Sequence, residues 1–335
     1  MHGKKVDLRT IPSAIGGDRE KRRGVILAKS EPAKKFGIKT GEPIFHALKK
    51  CPNLIIVPPD HKMYLRAGNA LLELLSRYSP NVQRFSIDEA FMEMDYSKDY
   101  LEKAKYIQNK IFEELGFTVN IGISTNKLLA KMASDFEKPN KIHTLFESEI
   151  PSKLWPLPVG DLFMVGRKTE NKLNSRGIYT IGDLAAQDKE YISIWLKKHG
   201  EMIWRYANGI DESPINPGKR EAKSIGHSTT TAYDVENKDE AHLILLGISE
   251  KIGIRMRDEG VRGTVIQLGI KDNNFNVKSR QTTLDSPTHD TNLIFNTAKD
   301  LFDELWNGEP IRLFSISVSK LYKGKESQLS FFEFW

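Results

Sequence analysis

The chain has 335 residues, with 50 lysines and arginines against 44 aspartates and glutamates, a net charge of +6 and 39% hydrophobic content. That is room for two to four compact domains and at least one sizeable core, and the basic balance suits a polyanionic partner without requiring one. A single cysteine, Cys51, excludes an internal disulfide framework and fits a reducing cytosol, and no apolar run reaches the length of a membrane span. The start, MHGKKVDLRT, has no apolar signal core. A soluble, cytoplasmic protein is expected.

In chain order, GVILA after the basic run at 19–23 reads as a short strand, and LKKCPNL places Cys51 in an apolar setting suited to packing. Tyr64, Ala67, Leu71, Leu75 and Tyr78 recur at helical spacing up to the break at Pro80. VQRFSI and AFMEM then read as two strands meeting at Asp88-Glu89. Leu101, Ala104, Ile107, Ile111 and Leu115 predict a helix stopped by Gly116, and Phe117, Val119, Ile121 and Ile123 alternate as a strand. STNKLLAKMAS predicts a helix that ends before the turn at Lys138-Pro139-Asn140. Alternating strands and helices over 1–150 predict an α/β domain around a mixed sheet.

Residues 151–211 change to short helical pieces, and DLFMVGRKTENKLNSRGIYTIGDLA has the pattern of a helix-hairpin-helix. The polar stretch over 212–222, with its prolines and glycine, reads as an exposed linker. Over 223–321 the order is strand (SIGHSTTTA), long helix, strand with Ile266, Leu268 and Ile270 alternating, turn at Asn273-Asn274, return strand, helix and last strand. That is the split βαβ pattern.

Asp88-Glu89 carries the chemistry, if any part of the chain does. At a hairpin tip two adjacent carboxylates can converge on divalent cations, which phosphoryl transfer uses to neutralise attacking and leaving oxygens. A polar turn between strands accounts for the same pair, so the neighbouring motifs have to decide.

Those motifs are IGGDREKRRGVILA, AKKFGIKTGEPI, CPNLIIVPPD, SIDEAF, NIGISTNKLLAKMASD and KPN, followed by the hairpin. Together they resemble the Y-family, or translesion, DNA polymerases, the DinB and UmuC relatives, over nearly the whole chain. The resemblance implies an α/β (α+β) multidomain right hand: palm and fingers over 1–150, helix-hairpin-helix thumb over 151–211, linker over 212–222, little finger over 223–321, and a clamp-binding tail over 322–335. It implies a DNA-directed DNA polymerase that extends a primer across damaged templates by a two-metal mechanism with Mg²⁺. The substrates are primer-template DNA and deoxynucleoside triphosphates, and the chain is expected to act as a monomer away from membranes.

Residue by residue, the resemblance makes Asp88 a metal-binding carboxylate and Glu89 the neighbour that helps activate the primer 3′-hydroxyl. Lys34 and Lys138 match lysines that reach the triphosphate, a task suited to a mobile point charge. Glu31 departs from the family's usual aromatic and would repel a triphosphate unless it turns away. The resemblance begins only at VDLRTIPSAIGG, so the family's opening Asp-x-Asp strand, with its metal ligand and aromatic sugar gate, has no counterpart in the sequence as written. Asp7 falls at a polar loop position and is not assigned a metal.

Val165, Gly166 and Arg167 are expected to offer backbone N–H groups to DNA phosphates. Lys223, Lys271, Lys278, Arg280 and Lys320, on or beside little-finger strands, are expected to neutralise phosphates along a duplex, though an ordinary solvated face shows the same charges. In the tail, Gln328, Leu329, Ser330, Phe331 and Phe332 resemble the peptide by which bacterial polymerases dock on the sliding clamp; a terminal strand packed on the body is the alternative. Two rival functions remain: a catalytically inactive DNA- and clamp-binding remnant, and an unrelated nuclease that uses Asp88 and Glu89.

Overall fold

The computed structural model describes residues 7–17, 24–95, 99–218 and 221–323. The tail motif Gln328, Leu329, Ser330, Phe331 and Phe332 lies outside the described residues. Two compact units result, Met1–Pro59 with Arg220–Trp335, and Asp60–Lys219.

The N-terminal part of the first unit is a three-stranded sheet. Strand β1 (Ser13–Gly16) lies at its centre, antiparallel to β2 (Ile26–Lys29) and parallel to a strand further along the chain. Sequence periodicity does not show β1, because four residues following Pro12 are too few to display an alternation. Helix α1 (Glu31–Lys34) is nucleated by Ser30, whose hydroxyl accepts the Ala33 N–H, and Pro32 sits in its first turn. Helix α2 (Ile44–Lys50) and the parallel strand β3 (Ile55–Val57) complete the layer. Cys51 is buried there with Ile26, Ile38, Ile44 and Leu54, so it packs as expected.

The second unit opens with α3 (His61–Leu75), then the hairpin β4 (Val82–Arg84) and β5 (Ala90–Met92), then α4 (Tyr100–Leu115). Gly116 stops α4 in the left-handed conformation, φ 75°, as its position predicts. Leu101 departs from its expected place: it is exposed, and α4 buries Ala104, Ile107, Gln108 and Ile111 instead. Gln108 can be buried because its amide donates to the Val119 carbonyl at 3.0 Å. Val119 itself precedes the next strand, β6, which is only Ile121–Ile123.

Helix α5 (Lys127–Asp135) follows, capped by Asn126, whose side chain accepts the Leu129 N–H at 2.8 Å. Strand β7 (Ile142–Thr144) pairs parallel with β6. The single mixed sheet expected for this region is therefore three small sheets, β2-β1-β3, β4-β5 and β6-β7. The apolar face of α5, Leu128, Leu129, Met132 and Ala133, shares one core with Leu145, Ile150, Leu154 and the helices beyond.

Those helices are α6 (Arg167–Asn174), α7 (Ile181–Ala185) and α8 (Lys189–Ala207). The stretch after α8 is not a free linker. Asp211 accepts the Leu128 N–H at 3.3 Å, Lys127 donates to the Pro214 carbonyl at 2.8 Å, and the Asn216 N–H donates to Gln83 at 3.0 Å. Its polar residues satisfy groups at the start of α5 and on β4, which ties the chain down as far as Asn216.

The C-terminal part of the first unit has the predicted split βαβ order: β8 (Ser224–Val235), α9 (Lys238–Asp258), β9 (Val261–Asp272), β10 (Val277–Thr288), α10 (Thr291–Leu305) and β11 (Ile311–Lys323). The sheet runs β10-β9-β11-β8, antiparallel throughout. Ile266, Leu268 and Ile270 of β9 and Phe314, Ile316 and Val318 of β11 line one face and pack on α9 and α10. Among the described residues no helix is long and apolar enough to cross a membrane.

Candidate active site and nucleic-acid interface

Asp88 and Glu89 lie at the tip between β4 and β5, as the strand pattern predicts. The tip is a tight turn in which the Glu89 carbonyl accepts the N–H groups of Phe85 (2.9 Å) and Ser86 (3.2 Å). Ser86 Oγ donates to Asp88 Oδ1 at 2.7 Å and orients that carboxylate. The Phe85 ring packs edge-on to Phe91, with centroids 5.2 Å apart, and sits 5.7 Å from Phe163. Below the tip Gly68 of α3 faces the Ile87 carbonyl so closely that a Cβ there would lie 2.1 Å from the oxygen. Only glycine lets α3 support the turn at this height.

Glu89 is not left to solvent. Its Oε1 is 2.7 Å from Lys131 Nζ, and the same ammonium is 2.8 Å from Asp135 Oδ2. Asp135 Oδ1 in turn holds Lys138 Nζ at 2.6 Å. Carboxylate, ammonium, carboxylate and ammonium thus alternate from the hairpin tip along α5 into the Lys138-Pro139-Asn140 turn. Burial pushes the Lys131 pKa down, but the hydrogen bonds to Asp135 and Glu89 outweigh it and the pKa lies above the ordinary lysine value. Burial pushes Asp135 up, yet Lys131 and Lys138 hold it below the usual carboxylate range.

Lys131 and Asp135 both fall within the motif NIGISTNKLLAKMASD, and the sequence alone gives neither a role. The available signal was their i,i+4 spacing on a predicted helix, which puts them on one face. Their connection to Glu89, 42 residues earlier, has no counterpart in local sequence.

The site accommodates a hard divalent ion in part. Asp88 is exposed and accepts one hydroxyl hydrogen bond, a suitable donor set for an ion that also takes phosphate and water oxygens. Glu89 Oε2 lies 3.4 Å from the same Ser86 Oγ, while its Oε1 is held by Lys131. Among the described residues no group of three or more acidic, histidine or cysteine side chains forms a metal cage. Asp7 is committed elsewhere: Arg9 hydrogen-bonds its carboxylate at 2.8 Å and lowers its pKa to about 2.

Lys34 belongs to the first unit, where it lies 3.7 Å from Glu31 on the surface of α1. The acid that departs from the family pattern is thus turned toward that lysine. At the hairpin, Val165 departs from expectation: its side chain is buried and its N–H is used by the Leu162 carbonyl at 2.9 Å. Gly166 caps α6 with open space where a Cβ would stand, and Arg167 opens the helix behind it. Gly177, φ 77°, ends α6, and the Ile178 N–H returns to the Leu173 carbonyl at 3.2 Å.

The register of the C-terminal sheet separates the basic residues expected to share a face. Lys278 is opposite Ile270 and Arg280 opposite Leu268, so both point to the helix-covered side. There Lys278 pairs with Glu309, and Arg280 with Glu304 at 2.5 Å. The other face carries Lys271 with Gln267, Gly269, Ser279, Gln281, Ser315 and Ser317. Lys223 precedes β8 and is exposed, and Lys320 is exposed at a positive-φ position, φ 50°, near the end of β11. Counting charges along strands cannot resolve this, because one residue of register reverses every side chain.

Comparison with known proteins identifies the family and the fold. The impB/mucB/samB family model matches residues 1–135, that family's C-terminal domain model 222–331, and the IMS family HHH motif model 147–178. The chain is 45% identical to DNA polymerase IV of Clostridium acetobutylicum over 335 residues, covering 99% of this chain and 85% of that protein. It is 36% identical to DNA polymerase IV 1 of Bacillus subtilis, covering 98% and 80%. A solved Y-family DNA polymerase chimera superposes with a TM-score of 0.81 at 20% identity, over 94% of this chain and 93% of that one.

Proposed function

This chain belongs to the impB/mucB/samB family, the DinB- and UmuC-like Y-family DNA polymerases, and from that membership we propose that it copies damaged DNA templates by adding deoxynucleotides to a primer. The observation that carries the reading is the pair Asp88-Glu89 at a braced hairpin tip, joined through Lys131 and Asp135 to Lys138. When bound, divalent metal, in this reading two Mg²⁺ ions, supplies the charge that stabilises the attacking and leaving oxygens. Asp88 holds it, and Glu89 supports deprotonation of the primer 3′-hydroxyl. Lys138 and Lys34 engage the triphosphate. The chain acts as a cytoplasmic monomer, and Gln328, Leu329, Ser330, Phe331 and Phe332 dock on the sliding clamp.

The palm, fingers, thumb and little finger take the sequence ranges given above. Gly166 and Arg167 approach the DNA backbone at the start of α6. The open face of the C-terminal sheet, rich in serine, glutamine and glycine, lies along the duplex with Lys271 as its charge. Lys271→Ala is expected to weaken duplex binding and to reduce the slope of log K against log salt by about 0.9. Lys278→Ala and Arg280→Ala, whose cations are paired with Glu309 and Glu304, are expected to change that slope by less. Binding titrations at three or more salt concentrations test the difference. The function itself is tested by extension of a labelled primer on undamaged and abasic templates: template-directed products support it. Duplex binding without extension would favour the inactive remnant.

A further inference from the structure

We propose that Lys131 is a positioning residue: it is the resident counter-cation of Glu89, and it yields that carboxylate to the metal by withdrawing onto Asp135. The proposal rests on the reading of Asp88 and Glu89 as the metal site. Lys131 Nζ stands between two carboxylates, 2.7 Å from Glu89 and 2.8 Å from Asp135, with its side chain only 16% exposed. An ammonium on Oε1 repels a divalent ion brought to Oε2 of the same carboxylate and draws on the same negative charge. They compete for Glu89.

Asp135 makes the exchange possible. It lies one helical turn from Lys131 on α5, so it can keep the ammonium paired after Glu89 leaves. A buried lysine without that second anion would resist release, because a lone charge is costly away from water. Lys138 extends the logic, because it holds the other oxygen of Asp135 at 2.6 Å. A triphosphate that draws Lys138 away leaves the Asp135 charge to Lys131 alone. The hold on Glu89 then weakens as the nucleotide arrives, which leaves the carboxylate freer to hold a metal ion.

A purely structural clamp would be damaged in the same direction by loss of either end. A counter-cation predicts opposite effects. Mn²⁺ binding to the full chain, followed by electron paramagnetic resonance without DNA or nucleotide, reads them directly. Lys131→Met is expected to bind Mn²⁺ at least about fivefold tighter, and Asp135→Asn at least about threefold weaker. Lys131→Gln, which keeps a polar head in the partly buried site, is measured beside Lys131→Met and is expected to tighten binding likewise. In a Glu89→Gln background, Lys131→Met is expected to lose most of its gain, because the carboxylate it competes for is gone.

Unchanged or weaker Mn²⁺ binding in folded Lys131→Met and Lys131→Gln would overturn the proposal. So would a gain that persists in full with Glu89→Gln, since that would mark a general field effect. Asp88→Asn separates the two levels. If it removes Mn²⁺ binding while the Lys131 variants do nothing, the metal site stands and the counter-cation falls. If Asp88→Asn leaves binding intact, the reading of the site is wrong and the proposal falls with it.

Discussion

Asp88→Ala is expected to leave the chain folded and to slow templated primer extension by about a thousandfold or more. The two halves of that expectation have separate causes. Asp88 is exposed, and its side chain is held by the Ser86 hydroxyl at 2.7 Å, so truncation should change stability by no more than about 0.5 kcal/mol. The catalytic loss is larger because a metal-held charge contributes several kcal/mol to the transition state, at about 1.4 kcal/mol per factor of ten. Glu89→Ala should also abolish extension without unfolding the chain, since Lys131 keeps Asp135 as its partner. Single-turnover extension with thermal melting of each variant checks both halves. Loss of extension together with loss of folding would remove Asp88 from the chemistry and make it structural.

Gly68→Ala is expected to destabilise the chain and to disturb the hairpin tip directly. The added Cβ would stand 2.1 Å from the Ile87 carbonyl oxygen, a backbone atom that cannot rotate away. Either α3 or the hairpin tip must move, and overpacking of this kind costs about 1–3 kcal/mol. Because Ile87 adjoins Asp88, the displacement also misplaces the carboxylate, so extension should fall further than stability alone requires. Gly122→Ala acts on the other side of the site: its Cβ would meet the Ala130 carbonyl at 1.9 Å and the Ser134 nitrogen at 2.5 Å on α5. That helix carries Lys131 and Asp135. Gly166→Ala is the matched control, with no atom within 4 Å of the added carbon, and its melting temperature should stay near that of the unaltered chain. Equal melting temperatures for Gly68→Ala and Gly166→Ala would contradict this packing account.

The elements that periodicity disclosed are those long enough to repeat it. Helices α3, α4, α5, α9 and α10 and the order of the C-terminal unit follow from apolar spacing, and Gly116 marks a helix end by its φ preference. Strands of three or four residues, such as β1, β3 and β7, are set by their neighbours and leave too few positions for a pattern. The site divides along the same line. Asp88-Glu89 is visible as an acidic pair between two strand-like runs, and Lys138 as part of a motif. The ion pairs that connect them depend on α5 lying beside the hairpin, which is a tertiary fact. Register explains the remaining misreading: Lys271 and Lys278 look equivalent in the chain, but pairing with β9 sends Lys278 to the side of Glu309. Val165 was legible as part of a hairpin, yet its burial in a core shared with α5 was not.

The central claim is that Asp88 and Glu89 form the metal-dependent catalytic centre of a DNA polymerase. Its most direct test is single-nucleotide incorporation by the 335-residue chain on four primer-templates that differ only in the templating base, with and without Mg²⁺. The account predicts Mg²⁺-dependent addition of the complementary deoxynucleotide on each template, lost in Asp88→Ala and in Glu89→Ala. Incorporation that persists in both variants, or that ignores the templating base, would contradict it.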